Sequence, residues 1–327
     1  NKITFTSNST SPSKGDWGNL AFLEGATHAT FNNDVYASGS IMQHCIVEYG
    51  QGLSINRAGP FINYSEFRHN EVGVSVYNDN WSNPTTLVWI TQCDIHDNSK
   101  GISSYATNRE RAVFNYNSVY NNSPEGGIHG SHGTTFTHNT VKNNNYSGSS
   151  DRAGGISADR CDINHNIITG NSVTTDYSEE VGGLYLEGGT NVNNNIIANN
   201  SGEYAVYTEY SLPQTFSNNI ISDGLTYFRK EDLNGLIVNN VFAGGLIGGV
   251  EFDDDDAGFS KNTIINSPEN NVFAIDADYD VTQTTYFSNN LFSKNSSGYY
   301  LLFDANSYLQ TYVSTSGNNI INNDDGF

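Results

Sequence analysis

Acidic side chains recur along the second half of the chain at nearly regular intervals. The recurring acids are Asp159, Glu187, Glu209, Glu231, Asp253, Asp276 and Asp304. If each interval is one turn of a repeated structure, neighbouring carboxylates lie about 5 Å apart, the spacing of paired strands. At an effective dielectric constant of about 20 such a pair repels by about 3 kcal/mol. A column of this kind therefore needs something that reduces the repulsion between its carboxylates.

Three arrangements would reduce this repulsion. If the side chains splay apart and are hydrated, the column is an acidic stripe on the surface with no catalytic role. Calcium would neutralise the column, because Ca²⁺ takes several carboxylate and carbonyl oxygens. The residues predicted to bind Ca²⁺ are Glu231, Asp253, Asp254 and Asp276. A raised pKa on one member of a pair would instead produce a general acid.

A general acid beside an ionised carboxylate is the arrangement that hydrolyses glycosidic bonds. Asp159, Glu187 and Glu209 are the candidates: carboxylates one turn apart suit retention, at about 5 Å, and those two turns apart suit inversion, at about 9.5 Å. The outward neighbours His129, Tyr185, Tyr207 and Glu251 are predicted to contact the ligand, since aromatic faces stack on sugar rings. The alternative for the tyrosines is ordinary strand propensity.

Basic residues are scarce, so their positions carry information. Arg229 and Lys230 fall beside Glu209, and Arg152 and Arg160 flank Asp159. One interpretation makes them salt-bridge partners of the acids. The other makes Arg229 and Lys230 the base and clamp of a lyase acting on an acidic polysaccharide, with Arg152 binding the ligand.

Three smaller features bear on the same face. Lys230 falls at a nominally inward position, which predicts a bulge in the strand or a shifted register. His129 and His132, three residues apart, are weak candidates for a metal site. Two insertions, 143–152 and 172–181, precede the strands that carry Asp159 and Glu187 and could form one wall of a groove, although repeat proteins tolerate loops at such places.

The composition limits the classes of function. The 327 residues include 35 Asp and Glu against 14 Lys and Arg, a formal net charge of −21, so no nucleic-acid partner is expected. Hydrophobic residues make up 36%, which favours a thin, elongated core. No apolar run approaches the roughly 18 residues of a membrane helix, so no membrane span is predicted. The chain begins at Asn1 without a leader, so any signal peptide is expected to have been removed or to lie outside it.

Asparagine, with 47 residues, organises the chain through a repeated phrase. Clear copies are Phe-Thr-His-Asn-Thr-Val at 136–141, Ile-Asn-His-Asn-Ile-Ile at 163–168 and Val-Asn-Asn-Asn-Ile-Ile at 192–197. Aligning the copies gives one column, spaced by 20 to 29 residues: Cys45, Ser65, Cys93, Asn117, Asn139, Asn166, Asn195, Asn219, Asn240, Asn262, Asn290 and Asn319. Stacked coil on coil, these side chains are predicted to form a hydrogen-bonded asparagine ladder.

A second phrase, often opened by Gly, follows the first in each repeat, as in Gly-Leu-Tyr-Leu at 183–186. Two or three short strands per repeat predict an all-β fold, a right-handed parallel β-helix solenoid of about 12 coils. Residues 1–40 are expected to form an irregular N-terminal cap or first coil. The whole chain, 1–327, is expected to be one domain that continues past Phe327.

The three cysteines, Cys45, Cys93 and Cys161, cannot all pair, and their spacing matches no zinc site. Cys45 and Cys93 share the ladder column two coils apart, about 10 Å, which is beyond the reach of a disulfide. Both are interpreted as small buried ladder residues.

The asparagine repeats, the Gly-opened strands and the entry Ile3-Thr4-Phe5-Thr6-Ser7-Asn8, followed by Gly15-Asp16-Trp17-Gly18, resemble the right-handed parallel β-helix (pectate-lyase-like) superfamily of secreted bacterial proteins. The resemblance covers almost the whole chain and implies a secreted or cell-surface location. It also implies a polysaccharide or oligosaccharide partner and a polysaccharide-degrading activity, lyase or glycoside hydrolase, assisted by Ca²⁺. The protein is expected to be a monomer. The alternative is a noncatalytic carbohydrate-binding or adhesion solenoid.

Overall fold

The structure, a computed structural model, is a parallel β-solenoid. It describes residues 2–78, 87–106, 111–149, 152–174, 179–209, 214–222, 224–233, 235–252, 258–265, 272–277, 287–293, 300–303 and 320–322. Within these residues there is no helix, and so none that could cross a membrane. The all-β solenoid prediction is confirmed.

Each complete coil contributes one strand to each of three sheets, numbered here in the order in which a coil enters them. Sheet 1 contains Ile41–Gln43, Phe61–Asn63, Leu87–Thr91, Arg111–Asn115, Thr134–Thr137, Asp162–Asn164, Asn191–Asn193, Thr215–Ser217, Leu236–Val238, Gly258–Ser260 and Phe287–Ser288. Sheet 2 contains Ile3–Phe5, Cys45–Glu48, Glu66–Arg68, Asp94–His96, Ser118–Tyr120, Thr140–Lys142, Ile167–Thr169, Ile196–Ala198, Ile220–Ile221, Val241–Phe242, Thr263–Ile264, Leu291–Ser293 and Ile320–Asn322. Sheet 3 contains Trp17–Phe22, Gly50–Asn56, Val72–Asn78, Lys100–Ala106, Ile128–Ser131, Ile156–Asp159, Val181–Glu187, Tyr204–Glu209, Leu225–Leu233, Leu246–Phe252, Val272–Ala277 and Tyr300–Phe303.

Strands in these sheets pair in parallel with the same strand of the next coil, as in Ile163 opposite Val192. The described residues form 11, 13 and 12 strands in sheets 1, 2 and 3. The sheets do not all have the same number of strands, and the coil count differs slightly from the twelve expected. Two further pairs lie outside them: Asn145–Tyr146 with Ser172–Val173 in parallel, and Thr30–Asn32 with Val35–Ser38 antiparallel.

The first 40 residues supply strands rather than a separate cap. Ile3–Phe5 pairs with Cys45–Glu48, and Trp17–Phe22 pairs with Gly50–Asn56. The antiparallel hairpin then packs its rings on the outside of sheet 1, where the Phe31 ring lies 4.7 Å from that of Trp89. This segment therefore makes the first coil and covers part of one face.

The predicted asparagine ladder lies at the corner between sheets 1 and 2. Asn139 shows its geometry: its Oδ1 accepts hydrogen bonds from the backbone N–H and the Nδ2 of Asn117, and its own Nδ2 donates to Phe114 O and to Asn166 Oδ1. The same pattern continues to Asn290; Asn319 lies outside the described residues. A buried row of amides is thus satisfied by its own members.

A second asparagine ladder, which the sequence reading missed, lies between sheets 2 and 3. Its members are Asn70, Asn98, Asn122, Asn144, Asn171 and Asn200. Each stands five residues after a member of the first ladder, and this spacing was the available signal. Both corners therefore use the same hydrogen bonds.

The residue before each ladder Asn adopts a left-handed backbone conformation, as at His138 (φ 55°), His165 (φ 58°) and Asn143 (φ 55°). For a residue with a side chain this conformation costs about 1–2 kcal/mol. The hydrogen bonds of the ladder offset this cost and fix the bend at each corner.

Buried apolar side chains from all three sheets fill the interior. Cys45 and Cys93 are free and buried as predicted, and Cys161 is free and buried as well. Phenylalanines stack along the axis, with the rings of Phe114 and Phe136 5.3 Å apart.

Candidate functional site

Three of the predicted carboxylates lie in one column on the outer face of sheet 3. Ser131 pairs with Asp159, Asp159 with Glu187, and Glu187 with Glu209. These pairs confirm the predicted register over three acidic coils.

The predicted column does not continue to Glu231. Thr208 pairs with Phe228, so Arg229 comes level with Glu209, and the next strand is irregular between Phe228 and Glu231. Glu231 instead pairs with Val250. The irregularity between Phe228 and Glu231 includes Lys230, where a bulge was expected, but the pairing of Thr208 with Phe228 has already taken Glu231 out of the column.

The C-terminal part of the predicted metal site also departs from the predicted register. The backbone pairs Asp276 with Glu251 and not with Asp253. Asp253 and Asp254 lie outside the described residues, as do the side chains of Lys230, Glu231, Glu251 and Asp276. Among the residues whose side chains are described, no three His, Cys, Asp or Glu side chains are grouped to hold a metal ion.

The carboxylates at the two ends of the column, Asp159 and Glu209, have cationic neighbours. Glu209 Oε1 lies 3.4 Å from Arg229 Nη1, and Glu209 also accepts a hydrogen bond from the Tyr185 hydroxyl. Asp159 lies 3.8 Å from Arg160 Nε and 3.6 Å from His132 Nδ1. The salt-bridge interpretation of Arg229 and Arg160 is confirmed.

Tyr185 and Tyr207 face outward but are not exposed, contrary to expectation. They retain only 2% and 6% of their surface and stack with ring centroids 5.8 Å apart. They form a buried cluster with Ala153 and Val181, and Tyr204 and Tyr227 pack against it. Their ring faces are occupied by protein, which leaves no room there for a stacked sugar.

His129 lies in the same outward column as Tyr185, with Ser157 between them. Burial, and next the charges of Arg152 and Lys100, lower its pKa to about 4. The imidazole is therefore neutral at neutral pH. Its Nδ1 is buried, and none of the described residues offers it a hydrogen-bond partner.

A polar cavity of about 340 Å³ opens at the corner between sheets 3 and 1. It is lined by Arg160, Cys161, Asp162, Gly189, Asn191 and Gln214. Arg160 directly follows Asp159 in the chain and contacts His132 Nε2. The cavity therefore lies beside the carboxylate column, and sequence reasoning did not find it.

The cavity continues into a row of polar side chains on the outer face of sheet 1, here called the polar array. Its members are Thr135, Thr137, Asp162, Asn164, Asn191, Asn193, Thr215 and Ser217, two from each of four successive coils. The sequence signal was the polar residue on each side of a buried apolar one, as in Asp162-Ile163-Asn164.

Fold and site define a parallel β-solenoid with a carboxylate column, a polar cavity and a polar array on adjoining faces. No family model matches the chain, and no curated protein or solved structure is detectably similar to it.

Proposed function

We propose that this solenoid is a secreted carbohydrate-active protein that degrades a polysaccharide lying along its outer surface. The observation that carries the proposal is the register of Asp159, Glu187 and Glu209 on adjacent strands, next to a cavity lined by a guanidinium, a carboxylate and two side-chain amides. Groups of these kinds donate and accept hydrogen bonds with sugar hydroxyls.

Of the two reactions considered, the described side chains favour hydrolysis. Arg229 lies against Glu209, and a lyase would need that guanidinium for the uronate carboxyl of its substrate. Adjacent strands place Asp159 and Glu187 about 4.8 Å apart at the backbone, close to the separation of about 5 Å that accompanies retention.

The neighbours of the three carboxylates suggest their roles. Asp159 and Glu209 each have an arginine within 4.0 Å. Glu187 lies on the strand between them, with a carboxylate level with it on either side. We assign Glu187 as the general acid and Asp159, nearer the cavity, as the nucleophile.

The test is turnover of a polysaccharide panel, followed by reducing ends for hydrolysis and by ultraviolet absorbance for the unsaturated products of a lyase. Glu187→Gln and Asp159→Asn should abolish release of reducing ends, and Arg229→Ala should weaken it by disturbing Glu209. The matched control is Glu24→Gln, at an exposed glutamate paired with Arg57 in the first coil, which should leave turnover unchanged. Unaltered activity in both site variants would refute the assignment.

The polar array favours a second function, noncatalytic carbohydrate binding at a cell surface, because binding through hydrogen bonds requires no general acid or base. Absence of activity in both assays, together with measurable binding, would support that function.

Calcium binding by Glu231, Asp253, Asp254 and Asp276 stays a proposal. If it occurs, chelation should lower Tm, since a ligand specific to the folded state stabilises it; an unchanged Tm would remove the metal from the proposal.

A further inference from the structure

The polar array is an ordered surface whose dimensions suit an extended chain. Successive coils are about 4.8 Å apart, so four coils span about 14 Å along the solenoid axis. The two columns are separated by about 6.6 Å, two residues along a strand. A strip of this size presents one row of polar groups for each step along the axis and can accommodate a few linked sugar rings.

Hydrogen bonds within the array hold its side chains in place. Asn191 Nδ2 donates to Asp162 Oδ1 at 2.7 Å, and Thr215 Oγ1 donates to Asn191 Oδ1 at 3.0 Å. In the other column Ser217 Oγ donates to Asn193 Oδ1 at 2.6 Å. Asn193 Nδ2 uses both of its N–H groups, since it donates to Asn164 Oδ1 at 3.2 Å and to Thr215 Oγ1 at 3.1 Å. The second N–H of Asn191 and a second lone pair on each amide oxygen leave capacity for a ligand. Binding to such a surface loses little side-chain entropy.

Charge decides which class of polysaccharide the array can bind. Its one ionisable member, Asp162, is acidic, the neighbouring column carries three more acids, and the whole chain has a net charge of −21. The cation that lines the cavity, Arg160, already lies against Asp159 and His132. A polyanionic chain would therefore meet repulsion along the strip.

Apolar side chains bound the strip at both ends. Leu236, which pairs with Thr215, is 44% exposed, and Val113 pairs with Thr135 at the other end. Carbon-bound hydrogens on the face of a neutral sugar ring can pack on such groups. An exposed leucine beside amides and hydroxyls therefore complements a neutral sugar ring, which presents both carbon-bound hydrogens and hydroxyl groups.

We infer that the ligand is an uncharged polysaccharide that lies along the polar array, parallel to the solenoid axis, with one end in the cavity between Arg160 and Gln214. This inference rests on the proposed carbohydrate function and names its substrate class. It excludes the acidic substrate that a lyase would require.

The experiment measures binding of neutral polymers (xylan, mannan, mixed-linkage β-glucan and chitin oligosaccharides) and of acidic ones (polygalacturonate and alginate) at low and high salt. At least one neutral polymer should bind, with an affinity insensitive to salt, since no ion pair is involved. In the double variant Asn191→Val and Asn193→Val, that affinity should fall by about tenfold or more, the size of one neutral hydrogen bond or greater.

The control Asn19→Val makes the same change on the outer face of sheet 3 and should bind normally. Circular dichroism and Tm identify any variant that fails to fold; Asn193→Ser then replaces it and should show a smaller loss of affinity. Undiminished binding in the folded array variants would overturn the location. Tighter binding of acidic polymers, weakened by salt, would overturn the substrate class and leave the proposed function standing. Absence of binding and turnover with every polymer would refute both.

Discussion

Asn139 provides the sharpest test of what holds the coils together. The side chain is 2% exposed and makes four hydrogen bonds: it accepts from Asn117 N at 2.9 Å and from Asn117 Nδ2 at 3.1 Å, and it donates to Phe114 O at 2.9 Å and to Asn166 Oδ1 at 3.0 Å. Asn139→Ala removes all four and leaves the groups on both neighbouring coils without these partners.

At about 1 kcal/mol for each net hydrogen bond, the substitution should lower the free energy of unfolding by about 4 kcal/mol. Asn200, the last member of the second ladder, makes three such bonds, so Asn200→Ala should cost about 3 kcal/mol. Asn19, exposed on sheet 3 with a single side-chain contact to Gln51 at 3.3 Å, is the matched control, and Asn19→Ala should change stability by less than about 0.5 kcal/mol.

Urea unfolding followed by circular dichroism measures the three values. Because a solenoid can unfold in segments, hydrogen exchange gives the local reading: the Asn117 amide should lose protection in Asn139→Ala. If that amide stays protected and Asn139→Ala costs no more than Asn19→Ala, the ladder does not stabilise the fold in the way described.

Three further predictions concern protonation, reactivity and exposure. The folded pKa of His129, about 4, is below its free value of 6.5, so the unfolded chain takes up the proton first and stability should fall as the pH drops from 6.5 towards 4. Urea titrations of His129→Gln across this range should show a shallower fall in stability. A slope identical to that of the unaltered protein would contradict the lowered pKa. Burial raises the pKa of Cys93 to about 12 and also raises that of Cys161, so a thiol reagent at mildly alkaline pH should label neither until the protein is denatured; rapid labelling of the native protein would show that these sites open. Ile196 is 44% exposed and Ile197 is fully buried, so Ile196→Lys should change stability by less than about 0.5 kcal/mol, whereas Ile197→Lys should prevent folding at that coil; equal effects on Tm would place the wrong face inward.

The first asparagine column could be read from the sequence because one physical requirement, an amide at each corner, repeats at a fixed place in every coil. Asp159, Glu187 and Glu209 were placed correctly because the four residues that end with each of them pair in one continuous register, as Leu184 to Glu187 do on both sides. Glu231 was misplaced because the inward residue that pairs with Val206 is a buried threonine, Thr226, so a count from the first inward apolar residue, Phe228, begins two residues too late.

The burial of Tyr185 and the cavity at Arg160 depend on contacts between segments that no repeat specifies. Tyr185 is buried in a cluster with Ala153, which follows one insertion, and Val181, which ends the other, and the cavity forms where the loops between sheets 3 and 1 vary from coil to coil. A repeat alignment describes the common part of each coil, and both of these features lie in the part that differs.

The two ladders also give the solenoid an electrical direction. In parallel sheets the backbone dipoles largely cancel, but the amides inside a ladder point their oxygen towards the preceding coil and a nitrogen-bound hydrogen towards the following one, as Asn117, Asn139 and Asn166 do in turn. The side-chain dipoles therefore add along the axis, with the positive end towards the later coils. An elongated ligand parallel to that axis would experience a different potential at each of its ends, so its two orientations would not be equivalent.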